Sequence, residues 1–226
     1  MFYPFLLAHL IADFICQPYW LIKRKSSWHG LFIHCGIVLL WMLALIFLDP
    51  TMAALWPIMF LITLVHLAAD RWKVRHGHVI PGPPIVPFLL DQLIHITTII
   101  VTLSLVSSQR QIWTVHASSM NTFFIIAIIY VVATFAVPIA VMTWLDPQFQ
   151  SIQLSGQARL HSFFLAALTL TMVYQFGLLG LLVVGVILAI LLRKPLSIHP
   201  LDMVNGVLSV VSIAAILGYG LNTFPL

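Results

Sequence analysis

The sequence predicts an all-α protein of the membrane, a polytopic bundle of about eight transmembrane helices within a range of seven to nine. Three observations carry this. Of 226 residues, 62% are apolar or aromatic and only 7% are charged, with a mean hydropathy of +1.09. A soluble domain carries roughly 25% charged residues, so this chain has too few to solvate a globule of its size. The apolar residues fall into long runs between polar punctuation, and at about 20 residues per spanning helix these runs consume nearly the whole length. A cytosolic enzyme, a nucleic-acid binder and a secreted disulfide scaffold are thereby excluded. The two cysteines, Cys16 and Cys35, lie inside apolar runs, where a disulfide framework has no role.

In chain order, the runs predict helices over 2–22, 30–48, 52–70, 85–106, 121–145, 159–174, 176–192 and 203–221. The first lacks the charged leader and small-residue cleavage site of a signal peptide and is expected to be retained. Asp49 and Pro50 separate the second from the third. Pro83, Pro84 and Pro87 shape the entry to the fourth, and Asp146 with Pro147 ends the fifth. The final four helices carry no motif, so the chain divides into a four-helix unit over 1–106 and four further helices over 107–226.

Lysine and arginine supply the orientation, because positively charged loops stay cytoplasmic. Lys23, Arg24 and Lys25 follow the first helix and Arg71, Lys73 and Arg75 the third; Arg159 goes with the loop after the fifth, and Arg193 and Lys194 follow the seventh. All fall on one side, leaving Arg110 on the other. A single long helix over 159–192 would carry Arg193 and Lys194 across, so a tight turn near Tyr174 to Gly177 is expected. Both termini are then non-cytoplasmic.

The informative residues are the ionisable ones inside these helices, each of which costs a few kcal/mol or more without a partner or a purpose. All six acids are Asp, and three stand four residues from a histidine: His9 with Asp13, His66 with Asp70, and Asp91 with His95. Simple counting predicts about half of one such pair by chance. A spacing of four stacks the two side chains on one helix face, one turn apart. The second helix adds His34. Counted along each helix, Asp13, His34, His66, Asp70, Asp91 and His95 fall in the cytoplasmic half.

Two readings stand side by side. The pairs can hydrogen-bond to each other and hold helices together. Alternatively, four helices build one divalent-metal site from His9, Asp13, His34, His66, Asp70, Asp91 and His95, with zinc favoured over manganese or iron. Three Asp charges would offset most of the charge of one or two such ions. Asp13, Asp70 or Asp91 could then act as general base. The familiar di-iron bundle motif needs Glu, which this chain does not contain.

Other polar residues carry less. His76 and His78 are expected in a solvated basic loop with Arg71, Trp72, Lys73 and Arg75, and His29 at the interface. His116, His161 and His199 fall outside the cluster. Gln17 and Gln92 adjoin the pairs and are placed to orient a ligand by a hydrogen bond. Lys25, Arg71 and Lys73 could attract an anionic headgroup.

The segments Ala8-His9-Leu10-Ile11-Ala12-Asp13-Phe14 with Gln17, the basic turn at Lys23 to Lys25, His34, His66-Leu67-Ala68-Ala69-Asp70, and Phe88-Leu89-Leu90-Asp91-Gln92-Leu93-Ile94-His95 resemble the bacterial membrane family termed domain of unknown function 3307. The resemblance covers about the first 105 residues. It implies a bacterial inner-membrane protein and supports these His and Asp positions, without naming a reaction. More loosely, the pattern is similar to membrane-bound metal-dependent hydrolases. The expected function is therefore hydrolysis of a lipid-like ester or phosphoester at a metal site. An ion- or proton-coupled carrier and a non-catalytic membrane subunit are the alternatives, and the bilayer is the one partner implied.

Overall fold

The computed structural model describes residues 1–83, 85–106, 119–145, 156–192 and 200–223, and among these every regular element is helical. Arg110, His116, Asp146, Pro147, Arg193, Lys194 and His199 lie outside the described residues, as do the side chains of Arg159 and His161. Helical segments long and apolar enough to cross a membrane occupy Trp28–Leu48, Pro50–Val79, Ile85–Val106, Asn121–Trp144 and Phe163–Ile190, the last interrupted at Gly177–Leu179. Phe2–Ile15 and Val207–Thr223 are apolar but shorter. Such helices mark a membrane protein, and their outward faces agree: Phe47 is 90% exposed and Leu105 72%, positions that suit lipid and not water.

The chain forms two compact units, Met1–Ile128 and Ile129–Leu226. In the first, the run expected as one helix over 2–22 is broken. Helix α1 (Phe2–Leu10) continues as a π-helical turn, Ile11–Ile15, closed by Cys16 N–H donating to the Ile11 carbonyl at 2.9 Å. Pro18 then takes extended backbone and α2 (Tyr19–Arg24) starts afresh. Hydrophobicity alone cannot register this break, but Pro18 has no N–H to donate and disfavours helical backbone at Gln17.

Helix α3 (Trp28–Leu48) opens on Ser27, whose hydroxyl accepts from Gly30 N–H at 3.2 Å. Gly30 is needed for space: a Cβ there would overlap the Arg24 carbonyl, so α2 folds directly against the start of α3. Asp49 ends α3 and caps a 3-10 turn, Pro50–Leu55, accepting from Thr51 N–H at 2.9 Å and the Thr51 hydroxyl at 2.7 Å. Those two donors hold the Asp49 carboxyl below its usual range.

Helix α4 (Trp56–His76) overturns a second expectation. Arg71, Trp72, Lys73 and Arg75 form its last turns and not a loop, because nothing between Asp70 and His76 breaks a helix and cations suit a C-terminus. Arg71 donates to the Ser26 carbonyl at 3.2 Å and sits 4.6 Å from the Trp28 ring. Two basic clusters thus meet at one end of the unit. Helix α5 (Ile85–Val106) completes it. Phe5, Val38, Met42, Met59, Ile99 and Leu103 are wholly buried between α1, α3, α4 and α5.

The second unit begins within a helix formed by α6 (Ser119–Val131), a π turn Val132–Ala136 and α7 (Val137–Leu145). Pro138, without an N–H, accounts for the altered hydrogen-bond register just before it. Next come α8 (Gly156–Phe176), the 3-10 turn Gly177–Leu179, α9 (Gly180–Leu192) and α10 (Pro200–Thr223). Gly177 has φ +57°, and a Cβ on Gly180 would overlap the Met172 carbonyl. Eight residues of straight helix would separate those two by about 12 Å, so the chain reverses here. Helices α8 and α10 approach through small residues: a Cβ on Gly218 would lie 2.7 Å from the Leu170 carbonyl.

Candidate metal centre

The first unit holds the polar residues on which the sequence turns. His9 comes from α1, Asp13 from its π turn, His34 from α3, His66 and Asp70 from α4, and Asp91 and His95 from α5. All seven are buried, none more than 7% exposed. The four-residue spacing stacks each pair: His9 Nε2 lies 3.8 Å from Asp13 Oδ2, His66 Nε2 3.7 Å from Asp70 Oδ2, and His95 Nε2 3.3 Å from Asp91 Oδ1.

The pairs also face one another. His34 Nε2 is 2.9 Å from His66 Nε2, 3.2 Å from Asp13 Oδ1 and 3.4 Å from Asp70 Oδ2. His66 Nε2 is 3.6 Å from Asp13 Oδ1. The His66 and His95 rings stack with centroids 3.9 Å apart, and His9 meets His95 edge-on at 5.1 Å. Three overlapping trios bring one ligand atom per residue within 4.8 Å of one another: His9, Asp13 and His66; His34, His66 and Asp70; Asp70, Asp91 and His95. Such buried trios of imidazole and carboxylate are able to hold a metal ion.

Nearness here does not mean that these atoms satisfy each other. Among the described residues, His9 Nε2, Asp13 Oδ1, Asp91 Oδ1 and His95 Nε2 make no hydrogen bond of acceptable direction. An unsatisfied buried polar atom costs about 1–3 kcal/mol, and what these four have instead are His/Asp contacts at 3.2–3.8 Å, which a bound ion is able to satisfy.

The surrounding groups hold the carboxylates and imidazoles in place. Gln92 Nε2 donates to Asp13 Oδ2 at 3.1 Å, leaving Oδ1 to face His34. Lys73 Nζ donates to Asp91 Oδ2 at 2.7 Å, leaving Oδ1 to face His95. Lys25 Nζ lies 2.8 Å from Asp70 Oδ2. The Gln17 amide is best satisfied with its nitrogen donating to the Asp13 carbonyl at 3.0 Å and its oxygen accepting from Lys25. That oxygen then takes the position 3.3 Å from His34 Nδ1 and accepts its proton. His34 Nε2, at the other side of the ring, is hydrogen-bonded to His66 Nε2.

The family follows once these positions are in view. The family model described as "Protein of unknown function (DUF3307)" matches residues 1–124, more than half of the chain. The chain belongs to this family. The match contains all seven clustered residues of this DUF3307 protein together with Gln17, Lys25, Lys73 and Gln92. No curated protein and no solved structure matches the chain.

Outside the cluster, His29, His76 and His78 are exposed, and His76 pairs with its own helix through the Trp72 carbonyl at 3.2 Å. Cys16 Sγ accepts from Trp41 Nε1 at 3.2 Å, and Cys35 is buried beside His34. The sequence reading left Lys25 and Lys73 among the topology signals. Their direct contacts with Asp70 and Asp91 depend on the break at Pro18, which brings α2 back over α3, and on the continuation of α4 past Asp70.

Proposed function

We propose that this DUF3307 protein is a divalent-metal hydrolase of the bacterial inner membrane, acting on an ester or phosphoester of a lipid-like substrate. One observation carries the metal. The five separations that involve His34 or His66 Nε2 with each other, with Asp13 Oδ1 and with Asp70 Oδ2 run from 2.9 to 3.7 Å. Ligands of one tetrahedral zinc ion, with bonds of about 2.0–2.1 Å, stand about 3.4 Å apart. The nitrogen and oxygen donor set also suits zinc, with manganese and iron as alternatives.

His34, His66, Asp13 and Asp70 would hold this ion, with His9, Asp91 and His95, the other three of the seven candidates, beside it. A divalent cation bound there supplies Lewis-acid chemistry, easing formation of a hydroxide nucleophile near neutral pH and the growth of charge on a carbonyl or phosphoryl oxygen. The chain's own residues do the rest. Gln17 and Gln92 keep the imidazole and carboxylate lone pairs aimed, and the buried helix faces exclude bulk water. Asp91 and His95, outside the set of four, are left to take up a proton. Lys73, with its side chain 32% exposed at the basic end, is the cation best placed to meet an anionic headgroup. In this reading that end faces the cytoplasm, and both termini lie across the bilayer.

Metal analysis of the purified protein, grown with zinc, manganese or iron, tests the reading. Bound metal in the parent and its loss in a folded His66→Ala/Asp70→Ala variant is the expected result. A parent without metal under every supply contradicts it and leaves a polar packing core. Vesicle assays then separate the activities: metal-dependent release of product from a lipid ester or phosphoester is expected, whereas ion flux without hydrolysis would make the protein a carrier.

A further inference from the structure

The seven groups exceed what one zinc-sized ion can use, and the three carboxylates are not deployed alike. Each has one oxygen on a holding group, Asp13 on Gln92, Asp91 on Lys73 and Asp70 on Lys25, and Asp13 Oδ2 also lies 3.8 Å from His9 Nε2. Asp70 alone of the three belongs to two of the trios. Its Oδ2 lies 3.4 Å from His34 Nε2 and 3.7 Å from His66 Nε2, while its Oδ1 lies 3.8 Å from His95 Nε2.

The two oxygens of Asp70 therefore belong to different donor sets. One comprises His34, His66, Asp13 Oδ1 and Asp70 Oδ2; the other comprises His95 Nε2, Asp91 Oδ1 and Asp70 Oδ1, a trio within 4.8 Å. We infer that the cluster binds two divalent cations bridged by the Asp70 carboxylate. This rests on the metal reading above and extends it to the number of ions and the residue that joins them.

Three further features agree. In the second set, His95 Nε2 and Asp91 Oδ1 both lack a directed hydrogen bond although their residues are 2% and 4% exposed. They are buried donor atoms, 3.3 Å apart, that the first ion would leave with each other alone. The His66 and His95 rings, one from each set, stack 21° from parallel with centroids 3.9 Å apart. Paired ions in two-metal hydrolytic sites stand about 3.5–4 Å apart, a spacing of the same order as that between these two rings. Finally, the sets differ in number. The first has four protein donors, as in a closed site, and the second has three, the arrangement that leaves a position for water or substrate. On this account Asp91 and His95 become ligands. His9 Nε2, buried and without a directed hydrogen bond, is left as the proton acceptor.

The experiment is manganese titration of the purified, metal-stripped full-length protein, read by bound-metal ratio and by electron paramagnetic resonance. Two ions per chain are expected, with the six-line signal of isolated Mn(II) replaced at full loading by an exchange-coupled one. Because Asp70→Asn also removes the partner of Lys25, His95→Ala serves as the second variant, keeping all four donors of the first set and the Lys25 contact. It should bind one ion and show only the uncoupled six-line signal. A parent ratio of one overturns the bridged pair while leaving the hydrolase reading intact, and a ratio of zero overturns both. Two ions without exchange coupling, or two in His95→Ala, would refute Asp70 as the bridge.

Discussion

The two units of this protein solve the same problem with opposite cores. Both are packed from apolar helices. Met1–Ile128 buries three carboxylates and four imidazoles among them, whereas the described part of Ile129–Leu226 buries no ionisable side chain and only one hydroxyl, that of Thr169. Apolar packing through Ala166, Ala214 and Gly218 suffices to hold the second unit. The polar core of the first is a feature that the described part of the second does without. At about 3 kcal/mol per charged group at the centre of a membrane helix, it carries a cost that Lys25 and Lys73 offset in part and that a bound cation would offset further.

The sharpest way to break this contrast is to take a carboxylate from the polar core. Asp70→Ala removes the neighbour of Lys25, His34, His66 and His95 together, and loss of one partner from a buried ion pair costs about 3–5 kcal/mol. Bound metal should disappear and the thermal midpoint should fall by well over 5 °C, as followed by scanning calorimetry in detergent. A folded variant with the parent's midpoint and metal content would remove Asp70 from the centre.

Next in size is Gly30→Ala, which puts a methyl group into the Arg24 backbone and forces α2 off α3. Overpacking of this kind costs about 1–3 kcal/mol. Because Lys25 is carried on the displaced segment, metal affinity should fall along with the midpoint. Stability lost at unchanged affinity would show that the α2 contact does not shape the cluster.

Much of the first unit was legible because its signal is local. Three Asp/His pairs at one-turn spacing and His34 stand out against an apolar background, and the helical period fixes which face they share. Their convergence across α1, α3, α4 and α5 is a matter of helix packing, on which a single sequence is silent. The π turn that carries Asp13 and the break at Pro18 were hidden within one hydrophobic run over 2–22. The helical ending of α4 was masked by its charge, since Arg71 to Arg75 read as a loop when hydropathy alone sets the boundary. Those two departures are the ones that deliver Lys25 and Lys73 to Asp70 and Asp91. The second unit offered helices and little else, because an apolar core specifies packing without specifying chemistry.

Smaller changes sharpen the comparison. Gln92→Leu removes the donor that orients Asp13, so metal affinity should drop by about 10–100-fold with little change in the midpoint. An equal loss of stability and affinity would make Gln92 a packing residue. Smallest of all is Thr169→Val in the second unit. The Thr169 hydroxyl is buried without a partner among the described residues, so its replacement by a methyl group should leave the midpoint unchanged or slightly raised. Metal content should not move. A variant that lost metal would show that the second unit's core takes part in the site.

Zinc X-ray absorption on the purified, zinc-loaded protein tests the central claim most directly, because it reads the donor atoms themselves. The account predicts nitrogen and oxygen neighbours at about 2.0–2.1 Å, with the outer-shell scattering of imidazole rings and no sulfur. Sulfur at about 2.3 Å, or the absence of imidazole scattering, would place the metal away from these histidines and aspartates and contradict it.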